Sequence, residues 1–506
     1  MKSEQNQPQP IRRITPRALL ETKSLRDLQI HPDGHRIAFV VSENDFEESR
    51  SVTHIWMTEY VPPHEPETPE PPKEPEDWSR QLTYSFEGEK EPRWSPDGAT
   101  LAFLSNRPDL ADDDEDADTN ALQIWLLPLD GGEARKRTST QESVLDYVWI
   151  PDSTALLYLT PEPRPKPLES RLKEEQDHLY IDPTLEHETP LRRQLWRIGA
   201  EEEKPELLCV LPRGVEEFAL SHDGKRIAYT TNYTGQADDE HLQDIYVRDL
   251  EPGSPSLKLL RRNGTKHSLQ WSPDGTSLAF LSSLDPKILF SRDTIFTAEV
   301  PPVLEATTES VASPEAEGIS TAVQIPQPDY DVKDFVWQAG TQNIYALLAN
   351  RLDTDLYRLA HDKEPERRDI GGEGDRSSLA VTPDGTVFAW VLDTHASLSE
   401  IERWEEGKPP QILTQTHADF AKEYRIPRHE AIRWTAPDGL EIEGVLIYPL
   451  DYQLGERYPL VVQVHGGPKS HVVRALRNYY HSSVWASEGY AVLLPNFRGS
   501  DGYVDV

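Results

Sequence analysis

Cross-linking is excluded first: the 506 residues contain one cysteine, Cys209, so no internal disulfide can form. Cys209 lies in the apolar run Leu207 to Leu211, with no electropositive setting beside it, and reads as a buried strand thiol rather than a nucleophile. Long apolar runs are also missing. No stretch approaches the ~18 apolar residues of a membrane span, and the opening M-K-S-E-Q-N-Q-P-Q-P lacks the apolar core of an export signal. A cytoplasmic location and no membrane partner are the expectations. Basic residues are scarce, 52 against 88 acidic ones, and the net charge of −36 would repel phosphates, which argues against nucleic acid. That charge keeps a large surface soluble, and its carboxylates favour cationic or amine-bearing ligands. The densest acidic run, Asp112 to Asp118, lacks the Asp-x-Asp-x-Asp-Gly spacing and distal Glu of a calcium loop. It reads as a solvated loop, and neither metal nor cofactor is expected.

A chain of this length exceeds one ordinary core, and apolar segments recur throughout it, so two or three globular domains with polar insertions are expected. After about ten polar residues, Thr15 to Ser24 has helical spacing and is assigned, as residues 1–24, to an N-terminal arm with a short helix. Then a repeat sets in. Its copies are I-H-P-D-G-H-R-I-A-F-V-V-S from Ile30, W-S-P-D-G-A-T-L-A-F-L-S from Trp94 and W-I-P-D-S-T-A-L-L-Y-L-T from Trp149. L-S-H-D-G-K-R-I-A-Y-T-T from Leu220, W-S-P-D-G-T-S-L-A-F-L-S from Trp271, W-Q-A-G-T-Q-N-I-Y-A-L-L from Trp337 and V-T-P-D-G-T-V-F-A-W-V-L from Val381 complete the set.

Each copy reads as strand, tight turn, strand, with Asp or Gly where the turn needs a positive backbone angle. A third strand follows every copy, for example at Ile55-Trp56, Ile124-Trp125 and Ile245-Tyr246, and most have a fourth, such as Arg80 to Tyr84, Leu257 to Leu260 and Gln411 to Thr414. Strand quartets recurring at roughly 45 to 70 residues predict a mainly β chain with a seven-bladed β-propeller over residues 25–416. The tryptophans Trp94, Trp149, Trp271 and Trp337, each just before its turn, are expected to pack between neighbouring blades. Pro62 to Pro75, Pro161 to Pro167 and Val300 to Pro328, rich in Pro and Glu, read as flexible insertions at blade edges without regular structure.

Residues 417–506 have a different grammar. His417 to Glu423 can form a short helical link, and Ile432 to Tyr448 alternates as a hairpin around Pro437-Asp438-Gly439. Leu460 to Val464, apolar apart from Gln463, reads as a parallel strand buried on both faces that runs into His465-Gly466-Gly467-Pro468. A second strand, Ala491 to Leu494, follows about 25 residues later, room for a right-handed crossover helix at Arg477 to Ser487. The two glycines leave the main chain uncovered, so an amide there can point at a developing oxyanion, and Gly467 is the candidate donor.

H-G-G-P followed by P-N-F-R-G-S-D-G-Y from Pro495 resembles the prolyl oligopeptidase family of serine peptidases, particularly its acylaminoacyl-peptidase and dipeptidyl-aminopeptidase-like members. The resemblance implies a propeller ahead of an α/β-hydrolase domain, an N-terminal segment reaching back to that domain, and a Ser, Asp, His triad. It also implies an oligopeptide substrate cut near its amino end, with the propeller excluding folded proteins. His465, Gly466, Pro468, Arg498 and Gly499 are the supporting motif residues, His465 orienting the loop rather than serving as base. No Gly-x-Ser-x-Gly occurs in these 506 residues, so no catalytic triad residue is assigned.

From the hairpin to Val506 there are about 80 residues, against 200 or more in a complete domain of this type, so 417–506 is expected to be its incomplete N-terminal part. A fragment or split gene product is one account of that ending. The alternative from another class is a non-catalytic propeller that binds a peptide or protein partner, since fold alone does not separate the two.

Overall fold

Turn chemistry sets the strands. In the second repeat Ser95 Oγ donates to Asp97 Oδ1 at 2.6 Å, and Asp97 Oδ1 accepts the Ala99 amide at 2.9 Å. The same hydroxyl–carboxylate–amide turn recurs at Ser221/Asp223, Ser272/Asp274 and Thr382/Asp384. In the first repeat burial would raise the Asp33 carboxyl, but the His35 and Arg36 amides and the Arg36 guanidinium outweigh it and hold the group down at about 2.

The computed structural model describes residues 12–60, 79–108, 121–163, 191–201, 204–232, 234–288, 291–304, 318–467, 469–477 and 481–503. Seven four-stranded antiparallel sheets form, each from consecutive strands and each consistent with a propeller blade. Blade 1 is β1 (Ser24–Ile30), β2 (Arg36–Asp45), β3 (Arg50–Glu59) and β4 (Arg80–Gln81). Blade 2 is β5 (Glu89–Trp94), β6 (Thr100–Ser105), β7 (Gln123–Pro128) and β8 (Arg135–Lys136). Blade 3 is β9 (Asp146–Trp149), β10 (Ala155–Pro161), β11 (Arg193–Gly199) and β12 (Glu206–Leu211). Blade 4 is β13 (Phe218–Leu220), β14 (Arg226–Thr231), β15 (Asp244–Asp249) and β16 (Leu257–Leu260). Blade 5 is β17 (Lys266–Trp271), β18 (Ser277–Ser283), β19 (Asp293–Glu299) and β20 (Ala322–Gln324). Blade 6 is β21 (Asp331–Trp337), β22 (Ile344–Asn350), β23 (Asp353–Leu359) and β24 (Glu366–Arg368). Blade 7 is β25 (Asp375–Val381), β26 (Val387–Asp393), β27 (Glu400–Glu405) and β28 (Gln411–Ile412). All seven repeat turns join the first two strands of a sheet, the atypical one after Trp337 included.

Apolar clusters lie between sheets rather than within them. Leu25, Leu28 and Ile37 of blade 1 pack with Ala380, Val387 and Ile401 of blade 7, and Thr58 Oγ1 donates to Leu413 O at 3.2 Å, so first and last blades meet through side chains without exchanging a strand. The four tryptophans are at these joints. Trp94 Nε1 donates to Gln29 O, Trp149 Nε1 to Arg93 O, Trp271 Nε1 to Ala219 O and Trp337 Nε1 to Gln270 O, at 3.0 to 3.3 Å, each reaching the preceding blade. Asp146 adds a second tie: its carboxylate takes Arg93 of blade 2 at 2.8 Å and the Phe218 amide of blade 4 at 3.2 Å.

Residues 417–503 continue with α2 (Phe420–Glu423) and an eighth sheet of β29 (His429–Thr435), β30 (Glu441–Ile447), β31 (Leu460–Val462) and β32 (Ala491–Asn496). Its order is β29-β30-β32-β31, antiparallel except for the parallel β31–β32 pair, and α3 (Ser482–Ser487) connects those two strands. The N-terminal α1 (Pro16–Leu20) is capped by Thr15, whose hydroxyl accepts the Ala18 amide at 3.1 Å. Ile14 and Leu19 bury against Leu398 and Leu476, and Arg12 bonds through its backbone to Glu423 and Arg425, so this arm closes onto the link and the eighth sheet. No helix among the described residues is long and apolar enough to cross a membrane.

Four expectations are corrected. Val300 to Pro328 is not wholly irregular: β20 pairs with β19 and supplies the fourth strand of blade 5. The Thr15 to Ser24 helix is only α1, because Ser24 already pairs with Ser42 in blade 1. The Arg477 to Ser487 helix is shorter, only α3: Arg477 is not helical and the N-cap His481 is held at φ +50°, so the helix begins at Ser482, with 478–480 outside the described residues. Leu460 and Val462 are 54% and 52% exposed, not buried on both faces, because β31 is the edge of its sheet. Pro62 to Pro75, Asp112 to Asp118, Pro468 and most of Pro161 to Pro167 lie outside the described residues. Cys209 is half-buried on β12, where burial raises its thiol against the opposing charge of Arg248.

Candidate functional site

The loop leaving β31 is built from residues without side-chain bulk. A Cβ at Gly466 would meet nothing within 4 Å, and one at Gly467 only the Lys469 amide at 3.2 Å. Among the described residues no partner holds the Gly467 amide, which leaves it available to an incoming oxygen. Upstream, His465 anchors the loop: its ring stacks on Phe497 with centroids 4.3 Å apart, Nδ1 faces Gly466 O at 2.7 Å and Nε2 faces Ser500 Oγ at 2.8 Å. If Nδ1 carries the proton, Ser500 has one hydrogen and two acceptors, Nε2 and Phe497 O at 2.7 Å. Ser500 is 5% exposed and among the described residues Nδ1 faces Gly466 O rather than a carboxylate, so the pair braces the loop instead of forming a nucleophile and base.

Downstream, Lys469 reaches the propeller. Its ammonium donates to Asp293 Oδ2 of β19 at 3.1 Å and stands 3.1 Å from Asp331 Oδ1 of β21. Burial would lower this amine, but Asp331 and Asp293 raise it above its ordinary value and keep it charged. Asp331 uses its other oxygen to accept the Gly502 amide at 3.1 Å. Gly502 is held at φ +79°, and a Cβ there would come within 2.9 Å of Arg351 N and 3.1 Å of Ala349 O. Its own carbonyl accepts Arg351 N at 3.0 Å, while Arg474 N bonds Leu352 O at 3.0 Å and Leu476 N bonds Thr394 O at 2.7 Å. These partners lie where the second strand of a blade passes to the third, or one blade to the next. The eighth sheet therefore docks on one face of the ring, over blades 5, 6 and 7, opposite the repeat turns.

Three histidines are half-buried at these junctions. Lys23 N donates to His417 Nε2 at 3.2 Å and His417 Nδ1 lies 3.1 Å from Ser399 O, tying arm, blade 7 and link; burial brings its pKa down to about 4. His429 on β29 faces His395 of blade 7, ring centroids 6.1 Å apart, and burial followed by His395 repulsion brings it to about 4. Burial, then the Lys333 charge, takes His471 to about 4 against the opposing pull of Asp375 and Asp331.

Of the motif residues, His465, Gly466 and Gly467 are together at the seam. Arg498 turns its side chain away to pair with Asp438 in the hairpin turn, while Gly499, at φ +85°, lies in the turn whose Phe497 and Ser500 contact His465. Sequence reasoning missed Lys469, Ser500, Gly502, Asp293 and Asp331. The residue after H-G-G-P and the second glycine of G-S-D-G carried a usable signal; the two aspartates, about 170 residues upstream in ordinary strand starts, carried none. No cluster of three or more metal-ligating side chains occurs among the described residues. A cleft of about 660 Å³ lies at the repeat turns of blades 4 and 5, lined by His222, Lys225 and Asp274, on the other face of the ring.

A ring of seven four-stranded sheets with a small mixed sheet docked on one face, and an uncovered Gly-Gly loop at the seam, defines a propeller-type protein with an appended α/β unit. Its relatives are prolyl oligopeptidase-family peptidases, and they align with about 95% of it. The uncharacterized peptidase YuxL of Bacillus subtilis is 26% identical over 503 residues, 95% of this chain and 70% of that protein. Dipeptidyl-peptidase 5 of Porphyromonas gingivalis is 21% identical over 515 residues, 97% of this chain and 68% of the relative. The solved acylaminoacyl peptidase of Pyrococcus horikoshii superposes with a TM-score of 0.69 at 19% identity, covering 96% of this chain and 67% of that one. The chain thus spans about two thirds of the length of these relatives. No family model matches it.

Proposed function

We propose that this chain is the propeller, with the opening strands of an α/β-hydrolase domain over 417–506, of a serine-type peptidase acting at the amino end of oligopeptides. The observation that carries the reading is the Gly467 amide, which no described residue holds, on a loop set between a parallel strand pair and the propeller face, where an oxyanion donor would stand. The exposed β31 edge supports the domain reading, since a hydrolase sheet continues beyond such a strand. Relatives named as dipeptidyl-peptidase 5 and an acylaminoacyl peptidase solved with a peptidyl chloromethyl ketone support the substrate class. The propeller would restrict entry to short peptides, and a cytoplasmic site of action belongs to the same proposal.

Hydrolysis by this mechanism needs a nucleophile, a base and oxyanion donors, and these 506 residues supply one donor. Removing triad members in a serine peptidase costs on the order of a millionfold in turnover. The 506-residue chain is therefore expected to leave aminoacyl and acylaminoacyl p-nitroanilides intact and to resist fluorophosphonate labelling, while a chain extended through a complete hydrolase domain is active and labelled. Stoichiometric labelling of one serine in the 506-residue chain would overturn the assignment. An inactive extended chain that still binds peptides would favour the non-catalytic propeller.

A further inference from the structure

Gly466 and Gly467 have no side chains to hold them, so their attitude is decided by the residues on either side. One end, His465, is anchored within its own sheet by Phe497 and Ser500. The other end, Lys469, is anchored on the propeller, between the start of β19 in blade 5 and the start of β21 in blade 6. We infer that Lys469 is a positioning residue: its bridge to Asp293 and Asp331 clamps the chain that follows Gly466-Gly467 to the propeller and so sets the direction of the Gly467 amide. The role given to Gly467 rests on the peptidase reading above; the clamp itself does not.

The geometry favours a clamp over a decorative surface pair. The Lys469, Asp293 and Asp331 side chains are only 24%, 26% and 12% exposed, so solvent screens them less than an ordinary surface pair. One ammonium serves two carboxylates from two different blades, and removing it leaves both without their cation. Asp331 also accepts the Gly502 amide, and Asp501 N donates to Ser470 O at 3.0 Å, so the same carboxylate coordinates both loops that face the ring. Asp293 Oδ2 also has the His267 ring of β17 near it, Nε2 at 3.8 Å. Blade 5, blade 6, the glycine loop and the 497–503 turn thus share one charge network. An oxyanion donor displaced by about 1 Å loses on the order of a hundredfold in rate, so a clamp two residues from that donor is felt in catalysis without touching substrate.

Hydrogen exchange read by mass spectrometry on the 506-residue chain tests the clamp without substrate. In Lys469→Met, peptides covering 469–477 and 500–503 are expected to exchange about tenfold faster, while those of β29 and β30 keep their rates. Lys469→Arg should restore the slow rates, and Asp293→Asn added to Lys469→Met should change nothing further. Unchanged exchange in the two loops overturns the inference, and so does an equal rise throughout the eighth sheet, which would mean general destabilisation. In a chain carrying the nucleophile, Lys469→Met should lower kcat about 10- to 100-fold at constant KM, with rescue by Lys469→Arg. A kcat equal to the parent's overturns the link to Gly467. Inactivity of the parent itself is a failure of the peptidase reading, on which the exchange rates do not depend.

Discussion

Gly502 shows how much one missing side chain can decide. It adopts φ +79° where the 497–503 turn lies against Ala349 and Arg351, and its amide and carbonyl both bond to the propeller. Alanine at this site meets two penalties at once, a left-handed backbone and a Cβ 2.9 Å from Arg351 N. Gly502→Ala is expected to cost about 1–3 kcal/mol, confined to the docking of the eighth sheet. Urea unfolding followed by tryptophan fluorescence should show an earlier, separate transition for Trp434 and Trp485, with the propeller transition unmoved. A single unshifted transition would show that the turn is not a docking element. The second glycine of G-S-D-G was visible in the sequence, but nothing there shows a propeller loop 150 residues away pressing on its Cα.

Strands and turns repeat, and the repeats make the joints. In Trp149 the ring fills the space between blades 2 and 3 while Nε1–H satisfies Arg93 O, so one side chain supplies both apolar burial and a polar tie. Trp149→Phe keeps most of the volume but leaves a part-buried carbonyl without its donor, an expected loss of about 1 kcal/mol; Trp149→Ala also opens a cavity and should lose about 3–5 kcal/mol. Denaturation midpoints at constant slope check both values, with Tyr84→Ala, at a residue 71% exposed, as a control expected to be silent. Equal losses for Phe and Ala would remove the packing role. The regular turns and the joint tryptophans were legible because local hydrogen bonding and hydrophobic alternation dictate them. The fourth strand of blade 5 was not. Its three residues, Ala322-Val323-Gln324, have no pattern of their own, and pairing with β19 makes them a strand.

At the scale of the whole molecule, arm, ring and eighth sheet meet at His417, His429 and His471, all held near 4. A histidine depressed on folding leaves the unfolded chain to take its proton first as pH falls. Its contribution is therefore complete above about 6.5 and is lost as pH drops through 6.5 toward 4. Each shift corresponds to roughly 1–3 kcal/mol once partial exposure is allowed for. Asp334, raised to about 6 by burial despite its bonds to the Leu379 and Phe335 amides, has the opposite slope, so the parent profile alone does not isolate the histidines. The discriminating variant is His429→Leu, because neither His429 nitrogen has a hydrogen-bond partner among the described residues. Calorimetry should show a Tm equal to or above the parent's at pH 7.5 and a smaller fall between pH 7.5 and 4.5. A fall as steep as the parent's would show that His429 does not contribute to acid lability.

By itself the sequence determined the seven repeat turns, the strand pairs they join and the Gly-Gly loop, because each follows from interactions among residues close in the chain: alternation, turn hydrogen bonds and the absence of a Cβ. Only the tertiary structure decided that first and last blades close by packing, that β31 is an exposed edge, and that Lys469 bridges two blades beside Gly467. Those depend on which strand starts come together in the ring, and Asp293 and Asp331 look in the sequence like any other strand-leading carboxylates. Their charge acquires a role only where the loop places an ammonium within 3.1 Å of both, at a partly buried seam where screening is weaker than on open surface.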